Sequence, residues 1–358
     1  INKRIKFIMA YTTINKSTDY FNTKVYTGTG TSGSPFSLTG VGFAPDWTWI
    51  KRRNGAAIGH RLFDTVRGAT KYIDSSASSA ETTNTSTLTA FGSDGFTLQN
   101  DGSVNDGSAL FTSWNWKAGT TGSGTTTGSG TGKAYSYSVN TTAGFSIVKY
   151  KGNGTSGHQI PHHLGVSPSM TIVKKISGSE NWIVQNAHRG WDKRLILDVT
   201  NAEASHTDFV SGVSSTTFSL YTNGSVNTND ADYIAYVFAE KQGFSKAGGS
   251  YVGNGNTDGP FIFLGFKPAF LIAKTINSAD DWQILDNKRN GFNPNNFQLV
   301  ANSSNAEQTS GNRADLLSNG FKIRTGGGSW NPSGALIFYI AFAEAPLVGS
   351  NNIASTAK

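Results

Sequence analysis

Runs in which apolar and polar residues alternate, about five to eight residues long and roughly ten apart, recur along the chain. Phe218 and Leu220 flank Ser219, and a turn signal follows at Asn223-Gly224. Tyr233 to Ala239 alternates large and small residues, as a central strand meeting two different layers would. A period of two with Gly, Asn and Asp between the runs predicts short antiparallel strands and tight turns rather than helices. The expected class is all-β.

The pattern is written three times. Gly28 and Gly30, Gly152 and Gly154, and Gly253 and Gly255 each follow a strand carrying Tyr26, Tyr150 or Tyr251. Gly-x-x-Pro ends at Pro45, Pro168 and Pro268, and each leads into an apolar run reaching Lys51, Lys174 or Lys274. Arg67, Arg189 and Arg289 are followed by Glu81, Glu203 and Glu307. Gly-Ser-Val/Trp-Asn then ends at Asn105, Asn227 and Asn331, before a final aromatic strand. The first glycines lie 124 and 101 residues apart, so the unit is about 100 residues with an insertion after the first copy.

A unit of that size is long enough to own a core. The reading is three tandem antiparallel β-sandwiches, jelly-roll or concanavalin-like, over 20–118, 142–247 and 248–347. An N-terminal arm spans 1–19, a Gly/Thr/Ser linker 119–141 and a C-terminal tail 348–358. The linker composition is that of a flexible coil, which would let the first unit sit apart from the second and third.

Composition removes several chemistries. With 358 residues and no Cys, the chain has no disulfide framework, thiolate metal site or cysteine nucleophile. The longest apolar stretch, 335–343, is strand-sized, so no membrane-spanning helix is expected. The basic opening lacks the apolar core of a signal peptide. A net charge of +7 is thinly spread, and its densest cluster, Lys51-Arg52-Arg53, reads as a solvated strand edge with no specific nucleic-acid partner.

The recurring Arg–Glu pairs read as structural, a planar guanidinium fork tying a loop to a carboxylate in each copy. His158, His162 and His163 have zinc-like spacing, but Gly157, Pro161 and Gly165 exclude a helix, leaving a polar hairpin loop. Asp280-Asp281 lacks the spacing of a calcium loop, and Gly124 to Lys133 fails as a phosphate loop. No catalytic residue, metal or cofactor is assigned. Trp182 and Trp282 recur in phase and read as core; Trp191 and Trp330 sit beside turns and are the candidates for exposed contacts.

Tyr251 to Gly255, Gly265 to Phe270, Leu317 to Arg324 and Tyr339 to Pro346 resemble a repeat family in virion proteins of marine tailed phages, including those of picocyanobacteria. Met9 to Asn15 is similar to that family's usual start, which implies that residues 1–8 are an upstream in-frame extension or an alternative start. The resemblance implies a particle component, labelled tail-fibre-like or uncharacterised, without a catalytic mechanism. The expectation is a non-enzymatic virion surface protein, a capsid decoration or appendage assembled in the host cytoplasm. Its partners would be other virion proteins in a homo-oligomer or symmetric array. The alternative is a tail adhesin that recognises a host-surface glycan.

Overall fold

The computed structural model describes residues 10–31 and 33–348; the expected 1–8 extension and nearly all of the 348–358 tail lie outside the described residues. The chain is nearly all β, in several antiparallel sheets.

Each repeat builds one large sheet around its final aromatic strand. In the first, Leu110–Trp116 lies between Phe21–Thr27 and Trp47–Arg52, with Arg61–Asp64 beyond. In the second, Asp232–Phe238 lies between Phe145–Lys151 and Met170–Lys175. In the third, Leu336–Pro346 lies between Ser245–Val252 and Phe266–Thr275. A smaller sheet accompanies each, centred on Gly95–Leu98, Thr217–Leu220 and Gly320–Ile323.

One face of each large sheet packs on its own small sheet, as Tyr26, Ile50, Phe96 and Phe111 do in the first repeat and Val148, Tyr150, Phe218 and Ala235 in the second. The opposite faces of all three large sheets meet in one shared core. Trp116, Phe238 and Phe342, equivalent in the three repeats, converge there: Phe342 lies 5.5 Å from Trp116 and 5.8 Å from Phe238 between ring centroids. Burial on both faces is why Tyr233 to Phe238 is buried at every position.

Two expectations are corrected. The first is that the units form a row, with the first apart: the largest apolar cluster instead draws on all three repeats. The second is the linker: Thr120–Thr125 pairs with Ala134–Asn140, which pairs with Phe145–Lys151, extending the second repeat's large sheet. Gly122 and Gly124 lie opposite Tyr137 and Tyr135. A Cβ on either glycine would come within 3 Å of the tyrosine ring. The bare backbone is covered by a cross-strand aromatic, an arrangement that suits strand and not coil.

Candidate functional site

The repeated motifs are local clasps. The hydroxyls of Tyr26, Tyr150 and Tyr251 donate to the carbonyls of Val104, Val226 and Trp330 at 2.7, 2.8 and 2.8 Å. The next residues, Asn105, Asn227 and Asn331, accept through Oδ1 from the backbone N–H of Thr29, Asn153 and Asn254. Gly28, Gly152 and Gly253 are glycines because a Cβ would sit 2.1–2.3 Å from the carbonyl of Asp106, Thr228 or Pro332.

Other motifs form joints between repeats, and each joint runs the same way. Lys174 of the second repeat donates to Ser78 O of the first at 3.0 Å. Lys274 of the third donates to Thr200 O of the second, and Lys51 of the first donates to Ser304 O of the third, both at 3.1 Å. The backbone N–H groups of Glu81, Glu203 and Glu307 return to Ile176 O, Ile276 O and Arg53 O. The three repeats therefore close on one another. The indole N–H of Trp182 donates to Asp74 O and that of Trp282 to Ile196 O across two joints. At the third, His60 stands in the tryptophan's place: Trp49 donates to its Nδ1, so Nε2 carries the proton toward Val300 O. Burial and then the Lys51 charge hold His60 well below its ordinary pKa, so the ring is neutral. Burial likewise draws all three joint lysines from 10.5 to about 8.

Each Arg–Glu pair is in contact. Arg67 reaches Glu81 at 3.3 Å, Arg189 grips Glu203 through two bonds at 2.9 and 2.8 Å, and Arg289 reaches Glu307 at 2.7 Å. Arg67 and Arg289 also bind Asp64 and Asp286, fully buried carboxylates that the sequence reading did not single out. Tyr236 donates to Asp64 from the second repeat, and Trp114 donates to Asp286 from the first. Burial opposes the charge on Asp286, but Arg289 outweighs it and holds the carboxyl below its ordinary value. In the second repeat Asn186 replaces the aspartate, and Arg189 lies nearer solvent.

Lys51-Arg52-Arg53 is not a solvated edge. Lys51 is buried in a joint, Arg52 pairs with Asp106 at 2.6 Å, and Arg53 reaches Glu307 at 2.8 Å across the first-to-third joint.

One feature breaks the repetition. Arg67 and Glu81, like Arg189 and Glu203, are 14 residues apart, whereas Arg289 and Glu307 are 18 apart. The longer third-repeat loop borders an open cleft of about 360 Å³ lined by Lys267, Asn287, Lys288, Phe292, Asn295 and Glu344, among others. Phe292 is 71% exposed. Asn295 is 1% exposed, yet its Oδ1 has no hydrogen-bond partner among the described residues, nor does Asn287 Oδ1. Lys267 pairs with Glu344 at 2.8 Å.

A family model described as a domain of unknown function, DUF7483, matches residues 16–346. The chain belongs to this family. No curated protein and no solved structure matches it. The DUF7483 match runs across all three repeats, as does the shared core.

The aromatic candidates separate. Trp330 is 1% exposed and donates to Gln298 Oε1 at 2.7 Å, so it is interior and the expected exposed contact is corrected. Its turn folds inward because Tyr251 is anchored on its carbonyl. Trp191 is half-buried against the second repeat's core. Of the three histidines, His158 is a buried strand residue bonded to Asn227 and Thr126, whereas His162 and His163 lie in the loop that follows, His162 buried against Ser214 O and His163 hydrogen-bonded to the Tyr135 hydroxyl. Asp280 and Asp281 accept from Ser329 and Asn302. Among the described residues no group of three or more His, Cys, Asp or Glu is placed to hold a metal, and no helix is long and apolar enough to cross a membrane.

Proposed function

We propose that this DUF7483 protein is a non-enzymatic virion surface component, built as three jelly-roll or concanavalin-like β-sandwiches closed around a shared core. The observation that carries this reading is where the repeated residues go. The joint lysines, the Arg–Glu pairs and the Tyr–Asn clasps hold loops and repeats together, which is what a rigid display scaffold requires. The partners are other virion proteins in a symmetric array, and the place is the particle surface.

A second reading, a tail adhesin for a host glycan, is favoured by the cleft beside the exposed Phe292, on a loop longer than its counterparts in the other two repeats. Labelling intact particles with an antibody to the third repeat tests both. Regular label over the head is expected for decoration, and label confined to the tail transfers the assignment to the adhesin. Particles without label overturn the virion reading.

A further inference from the structure

We propose that the third-repeat cleft at Phe292 binds a glycan whose pyranose rings carry an anionic substituent. This deepens the adhesin reading and rests on it.

The first argument is shape and chemistry together. Sugar-ring faces are apolar and their edges bear hydroxyls, so a site for them combines an exposed aromatic with fixed polar groups. Phe292 supplies the first, standing in the loop that is longer here than in the other two repeats. The amides supply the second. Asn295 is fixed by a 2.6 Å bond from Nδ2 to Asp286 O, leaving its buried Oδ1 without a donor among the described residues. Asn287 Oδ1 lines the same cleft in the same condition. An acceptor held out of water without a donor costs free energy that a ligand hydroxyl recovers.

The second argument is charge. Lys288 lines this cleft and also a neighbouring one of about 290 Å³, which contains Lys24 of the first repeat. Neither lysine has a carboxylate within 4 Å among the described residues, whereas Lys267 is paired with Glu344. Asp94 feels the Lys24 charge and Glu344 that of Lys288, but Asp94 is held by the backbone N–H groups of Gly40 and Gly42 and Glu344 by Lys267. Two uncommitted ammonium groups along one path suit a chain of anionic sugars better than a neutral one.

The source of the anion is carboxylate or sulfate, and the experiment separates them. Purified full-length protein is titrated calorimetrically at low salt with hexagalacturonate, with a sulfated carrageenan hexasaccharide and with maltohexaose as the neutral control. Binding of either acidic probe is expected, weakened at least tenfold by Phe292→Ala and several-fold by Lys288→Gln, with melting temperatures unchanged because both side chains are exposed. Raising salt should weaken the wild type more than Lys288→Gln. Binding of neither acidic probe, equal binding of maltohexaose, or affinity indifferent to both substitutions overturns the proposal. If tail labelling succeeds while this titration fails, the cleft assignment falls and the adhesin reading survives.

Discussion

Arg289 and Arg189 hold the same place in two repeats, but their surroundings differ. Arg289 is fully buried between Asp286 and Glu307, so Arg289→Ala leaves the buried Asp286 without its cation, while Glu307 keeps Arg53. The expected cost is about 3–5 kcal/mol in urea unfolding. Arg189 and Glu203 are partly solvated, and Arg189→Ala should cost about 1 kcal/mol or less. Equal losses would mean that the buried aspartate does not distinguish the sites. The joint lysines carry a pH signature. Their folded pKa, about 8, lies below the ordinary 10.5, so above pH 8 the unfolded chain holds more protons than the folded one. Their contribution to stability therefore rises with pH through that window. The urea midpoint should climb between pH 7.5 and 9.5, and climb less in Lys174→Met; equal slopes would remove the lysines as the cause. The Arg–Glu pairs were legible in the sequence because they recur in every copy. Asp64 and Asp286 were not, because the middle copy has Asn186, and His60 was hidden because it replaces a tryptophan.

At the scale of elements, period-two patterning marked the chain as all-β, and the final aromatic strands fall where the repeat placed them. The segment 119–141 was misread because composition was weighed without its partner strand. Gly and Thr suggest coil until Tyr135 and Tyr137 are laid across the glycines. Hydrogen exchange decides between the two descriptions: amides bonded between Ala134–Asn140 and Phe145–Lys151 should exchange at least a hundredfold more slowly than free-peptide rates. Exchange at free-peptide rates would restore the linker. The loop from Arg289 to Glu307 shows the opposite difficulty. Its extra residues can be counted in the sequence but were not singled out, and only packing reveals that they border a cleft with an exposed phenyl ring.

For the whole molecule, the three-fold repeat was readable and its closure was not, because alternation records that a face is buried without recording what buries it. Trp116, Phe238 and Phe342 gave no sign of meeting one another. With one core running through all repeats, unfolding should be a single transition, coincident by near-ultraviolet and far-ultraviolet circular dichroism. Separate transitions would mean that the repeats are independent. The direction of the joints has a wider consequence. Each repeat presents its buried lysine to one neighbour and the loop carrying its glutamate to the other, the logic of a heterologous interface that closes instead of growing into a filament. One repeat bearing both sides carries the instructions for a homotrimer, whereas three repeats on one chain are free to diverge. Asn186, the Tyr236 and Trp114 donors, and the Arg53–Glu307 bridge make the three joints unequal, so each repeat has a specified neighbour and the chain has one preferred order of closure.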